Sequence, residues 1–198
     1  MIRPLLIAAL MALAAAPSGA RAGDVSPAVE PAELADLERQ RVECRKARDW
    51  LCVFDRTQAL YRASFERFAN AEADPEGRQL LMHIGIGTEL ALETTDTDTK
   101  LHLTSELFWL LVRRDGRKWR RECFLVCIAR AEALATAGDL DGGAEFARVA
   151  LSHSDRLKAY DWIYPSVIYR GEMDAVIILR EDAARRLSAL ETAYEGRL

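Results

Sequence analysis

The stretch Ile128-Ala-Arg-Ala-Glu-Ala-Leu-Ala-Thr-Ala-Gly-Asp-Leu-Asp-Gly-Gly-Ala-Glu-Phe-Ala-Arg-Val-Ala-Leu151 decides the fold. Ala, Leu, Glu and Arg are strong helix formers, and no run here alternates apolar with polar at a period of two. Gly138-Asp139 interrupts the pattern as a stop signal, so the stretch reads as one helix ending near Ala137 and a second over 141–153. Upstream, Cys123 to Ala129 is apolar all round, which marks the first helix as buried and central.

Working outward, the same reasoning gives helices over 33–47, 50–72, 76–93, 98–114, 118–137, 141–153 and 156–195, the last interrupted near Gly171. Asp74-Pro75 starts a helix with proline in its first turn, Thr94 to Thr99 offers caps, and Asp115-Gly116 ends a helix. On the second helix Trp50, Phe54, Tyr61, Phe65 and Phe68 form one aromatic stripe. Cys52, Ala59 and Ala63 fall on nearly the opposite side, giving a small-residue face for close helix approach. The fold class expected is all-α, with antiparallel helical hairpins stacked as a short α-solenoid.

The stretch 128–151 resembles a tetratricopeptide-type repeat, in which a helix carrying small residues ends at a Gly-Asp or Gly-Asn turn and a second helix packs back on it. Ala131, Gly138, Asp139, Gly143, Ala150 and Leu151 match that pattern. A second Gly-acid turn, Gly171-Glu172, follows 33 residues after the first, near the family period of about 34. Ala147 stands where the family has an aromatic, and Tyr164 and Arg180 stand where it has small apolar residues. The resemblance covers about residues 123–198 and implies a surface for protein or peptide partners with no chemistry of its own.

The N-terminus reads as a secretory signal over residues 1–22: Arg3, an apolar run from Leu5 to Ala16, and the cleavage triplet Ala20-Arg21-Ala22. The run is shorter than the roughly 20 apolar residues of a spanning helix. A periplasmic, soluble chain is therefore expected, with a flexible lead-in over 23–32 and one helical domain over 33–198. Removing residues 1–22 takes away Arg3 and Arg21 and no acid, so the formal charge of −4 falls by two to −6. That balance argues against coating nucleic acid.

Four cysteines in an exported chain suit an oxidising compartment. Cys123 and Cys127, four apart on a helix, have Cβ atoms about 5–6 Å apart, wider than the roughly 3.5–4.5 Å of a disulfide. Cys44 and Cys52 are eight apart, about 12 Å along a continuous helix; they pair only if the chain turns between them, with Asp49 capping a new helix. The remaining connectivities join the two pairs across helices, and the favoured one is Cys44 to Cys127 with Cys52 to Cys123. Metal binding by these thiols is the sharper alternative, but C-x7-C and C-x3-C are not the usual zinc spacings. A redox pair calls for C-x-x-C.

His83, His102 and His153 lie in different helices with no i to i+4 partner. Gly85-Ile-Gly87 marks helix packing rather than a phosphate cradle, and Asp139-Leu-Asp141-Gly142 reads as a repeat turn rather than a calcium loop. No cofactor is implied. Six of the nine residues from Arg113 to Arg121 are basic; Arg117, Lys118, Arg120 and Arg121 do not suit a helix start, where the dipole favours acids. They are candidates for docking an anionic surface or acidic partner. Tyr160, Trp162, Tyr164 and Tyr169, beside Pro165, are candidates for a peptide groove. The functional expectation is a periplasmic, non-catalytic helical-repeat adaptor, with a small all-helical envelope enzyme or a thiol-based metal carrier as alternatives.

Overall fold

Capping chemistry sets the helix boundaries. A computed structural model describes residues 31–63, 65, 78–113, 120–154 and 180–198, with the side chains of 78, 113, 120, 121, 153, 154, 180 and 181 left aside. Among the described residues there are seven helices and no strand: α1 Pro31–Lys46, α2 Trp50–Ala63, α3 Arg78–Glu93, α4 Thr97–Arg113, α5 Arg120–Ala137, α6 Leu140–Ser154 and α7 Arg180–Ala193. Three of them start on an aspartate. Asp49, Asp96 and Asp139 accept the backbone N–H three residues on, from Cys52 at 3.0 Å, Thr99 at 2.8 Å and Gly142 at 2.8 Å. Each bond satisfies a donor that the first turn leaves unpaired.

Two helices also end in the same way. At the close of α5, Gly138 takes φ 83°, its N–H donates to Ala135 O and that of Asp139 to Leu134 O. At the close of α1, Arg48 takes φ 57°, its N–H donates to Arg45 O and that of Asp49 to Cys44 O. Both are left-handed caps with one short and one long reverse bond. A non-glycine residue in this region carries a steric cost, so the α1–α2 turn is held by its surroundings.

The described residues divide into two compact units, one up to Ile86 and one from Gly87 on. In the first, α1 packs on α2. Phe54, Leu60, Tyr61, Leu80 and Ile84 are buried. The aromatic stripe of α2 contributes Phe54 and Tyr61 to this core, with Phe65 tilted against Tyr61 at 6.0 Å between centroids. Phe68 lies outside the described residues.

In the second unit each helix packs on the next through α4, α5 and α6, and α7 packs on both α5 and α6. Every residue from Phe124 to Ala129 is buried, as its all-round apolar character requires. Ala131, Ala147 and Ala150 are wholly buried, so the helices meet on small side chains. The Tyr194 hydroxyl donates to Ala131 O at 2.6 Å and closes the C-terminal end. The Arg148 guanidinium donates to Arg197 O, and Arg197 pairs with Asp141 at 3.0 Å.

Gly143 lies under the Tyr194 ring. A Cβ there would overlap the hydroxyl oxygen and stand 2.7 Å from Cζ. Gly→Ala inside a helix is ordinarily worth about 1 kcal/mol in favour of alanine, but the overlap costs about 1–3 kcal/mol and displaces a buried hydrogen bond. Gly143→Ala is therefore expected to destabilise by about 2 kcal/mol on balance. Adding Tyr194→Leu should relieve the clash, so the double variant is less destabilised than the two single changes together. Thermal unfolding of the four proteins checks this; simple additivity would show that the ring does not hold the glycine in place.

Candidate functional site

The thiols are arranged differently from the favoured expectation. Cys44 and Cys52 form a disulfide across the α1–α2 turn, with Cα atoms 5.7 Å apart, and Cys123 and Cys127 are free. The cross-helix pairing of Cys44 with Cys127 and Cys52 with Cys123 is thereby corrected. The physical reason is the left-handed Arg48, which reverses the chain between the first two cysteines, and Asp49 does cap the new helix.

On α5, Cys127 is buried and Cys123 partly so. Burial, with the neighbouring Glu122 charge adding to it, pushes the Cys123 thiol up to about 12. Burial and proximity to Cys123 raise Cys127 as well. A thiolate is the nucleophile and metal ligand, so both groups are held in their inert form.

His83 is a buried titratable group of the first unit. Its ring stacks against Phe54 at 4.7 Å and Tyr61 at 5.3 Å, and Nε2 lies 2.9 Å from Gln58 Oε1. Gln58 Oε1 is an acceptor, so Nε2 carries the proton and Nδ1 is the bare nitrogen. Nδ1 has no partner. Burial, with a smaller effect from Arg41, brings His83 down to about 3. It is a neutral aromatic spacer at ordinary pH.

The second unit holds an ion cluster that sequence reading did not single out. Glu132 on α5 accepts from Arg186 on α7 through both oxygens, at 3.0 and 2.9 Å, and from Lys100 on α4 at 3.1 Å. Arg186 also bonds Asp182 at 2.9 Å and the Leu92 carbonyl at 2.9 Å. Burial disfavours the Arg186 charge, yet Glu132 and Asp182 more than offset it and hold the guanidinium above its ordinary value. The cluster ties α3, α4, α5 and α7 together around one carboxylate. Both Glu132 oxygens are reached by one nitrogen, Nη1, while Nε and Nη2 serve Asp182 and Leu92, so the guanidinium is spread over three acceptor groups.

Comparison with family models, curated proteins and solved structures finds no match for the chain.

Arg130, two residues before Glu132 on α5, is bound differently. Its Nη1 donates to Leu101 O at 2.9 Å, Ser105 Oγ at 2.7 Å and Thr104 Oγ1 at 3.3 Å, all on α4. The guanidinium stands over the Phe146 ring of α6 at 5.9 Å. Asp139 and Asp141 serve the turn and the Arg197 pair, as a repeat turn would have them.

Of the partner-binding candidates, Arg120 and Arg121 open α5, and their side chains are not among the described ones. Arg117 and Lys118 lie outside the described residues, as do Tyr160, Trp162, Tyr164 and Tyr169. The expected signal segment 1–22 and residues 23–30 of the expected lead-in 23–32 lie outside them too. Among the described residues no helix is long and apolar enough to cross a membrane.

Proposed function

We propose that the protein is a periplasmic, non-catalytic helical-repeat adaptor whose partner is a protein or peptide. The observation that carries this reading is the recurring turn: a left-handed residue followed by a capping aspartate closes the α1–α2 hairpin at Arg48-Asp49 and the α5–α6 hairpin at Gly138-Asp139. The first turn extends the repeat-like pattern to a region where the sequence carries arginine in place of glycine. Repeated hairpins build extended surfaces rather than closed catalytic pockets.

The side chains best able to do chemistry are committed to packing. His83 is stacked and neutral, Cys123 and Cys127 are protonated inside α5, and Glu132 is shared between two cations. The Cys44–Cys52 disulfide suits an oxidising compartment. Partner contact is assigned to the basic segment Arg117, Lys118, Arg120 and Arg121 and to the aromatics Tyr160, Trp162, Tyr164 and Tyr169.

The test is site-specific photo-crosslinking of the full chain in the cells that make it, with a benzophenone amino acid at position 162 or 120. One discrete species, heavier than the chain by a fixed mass, is expected. Its yield should fall when Arg117, Lys118, Arg120 and Arg121 are all replaced by Gln. The absence of any discrete species from both positions would sink the adaptor reading.

A further inference from the structure

Three polar groups stand out in the second unit: the thiol pair of α5, the Glu132 cluster and Arg130. The first two are closed systems, one held protonated and one with its charges matched. Arg130 is open. Among the described residues it makes no ion pair; Asp139 acts on it only through space. Lys100 and Arg186 by contrast each meet Glu132.

A guanidinium has five N–H donors. Nη1 spends its two on three neutral acceptors of α4. Nε–H is buried with no partner, and Nη2 makes no hydrogen bond to a described residue, which leaves its two donors unspent there. Ser105 beside it is exposed, with Oγ donating to Leu101 O at 2.8 Å. The surroundings are apolar. Phe146 lies beneath the guanidinium and pairs with Phe108 at 5.3 Å, both rings half-buried. On α4, Ser105, Phe108 and Val112 follow at three- and four-residue steps and share one face, and Val112 is 43% exposed.

We propose that Arg130 receives an acidic side chain, Asp or Glu, of the partner polypeptide, with an adjacent apolar residue of that partner seated on Phe146, Phe108 and Val112. This deepens the adaptor reading and rests on it. The argument is charge complementarity at a place where the described residues supply none. Among the described residues this partly buried cation meets only neutral acceptors. A carboxylate arriving at Nη2 forms a charge-assisted bond beside two half-buried aromatic rings. The apolar ledge then selects acids with a hydrophobic neighbour over free inorganic anions.

The test is a titration of the full, isotope-labelled chain followed by nuclear magnetic resonance. The probes are 4-methylpentanoate, which joins one carboxylate to one branched apolar group, and its neutral amide. The acid should shift the Arg130 Nε–H and Ser105 amide signals in a saturable way. The amide should not, and Arg130→Gln should abolish the acid response. If that variant does not fold, the acid–amide contrast in the natural protein decides alone. Equal shifts from acid and amide, or none from either, overturn the inference. Because this titration needs no partner, shifts at Arg130 without any cross-linked species would sink the adaptor reading and leave the anion site. A cross-linked species without shifts would do the reverse.

Discussion

Iodoacetamide added to the folded protein at pH 8 is expected to modify Cys123 about a thousandfold more slowly than an ordinary thiol, and Cys127 more slowly still. The factor follows from the thiolate fraction: a thiol moved from 9.0 to about 12 carries about a thousandth of the thiolate at any pH below both values. Steric closure acts in the same direction, since Cys127 is buried with Phe124 to Ala129. Urea should release both thiols together, whereas Cys44 and Cys52 should label only after reduction. Peptide mapping of the four sites gives the rates. Labelling of Cys127 at the free rate in the folded protein would show that α5 is not the closed central helix described above.

This prediction separates two roles that the sequence leaves mixed. All four cysteines look alike to a count, and an exported chain invites pairing all of them. What decides the matter is one backbone torsion. A straight helix would hold Cys44 and Cys52 about 12 Å apart, and nothing in Arg48 announces the left-handed turn that brings their Cα atoms to 5.7 Å. Had glycine stood at position 48, the α1–α2 hairpin would have been as legible as Gly138-Asp139.

The helices themselves were legible because apolar periodicity and aspartate caps are local. Asp96 and Asp139 mark starts that the structure places within a residue or two of expectation. The Glu132 cluster was not legible. Its members lie 32 and 54 residues apart, and an acid buried between helices has the same letter as one on a solvated face. Arg130 was hidden for a related reason, since a cation that meets no carboxylate among the described residues has the same letter as a paired one.

The stability of the unit holding His83 is expected to fall steadily between pH 6.5 and about 3. The direction is fixed by which state binds the proton. In the unfolded chain His83 titrates at its ordinary value of 6.5, and in the folded chain burial, helped by Arg41, delays this to about 3. Between those limits the unfolded state carries one more proton. Stability therefore stands in full above 6.5 and is lost as pH drops, at up to about 1.4 kcal/mol per pH unit. At pH 5 the loss reaches about 2 kcal/mol.

Protonating the ring in place is the costlier path. Phe54 and Tyr61 cover it on two sides, and Gln58 Oε1 already takes the Nε2 proton. A proton on Nδ1 would meet no acceptor. His83→Gln removes the titration and keeps an amide able to bond Gln58, at the expense of the stacked ring. The variant should be less stable than the natural protein at pH 8, and the gap should narrow or reverse by pH 5. Urea unfolding of both proteins from pH 8 to 4.5 measures it. Parallel profiles would mean that water or another group reaches Nδ1, and that the ring is less enclosed than its two aromatic neighbours make it.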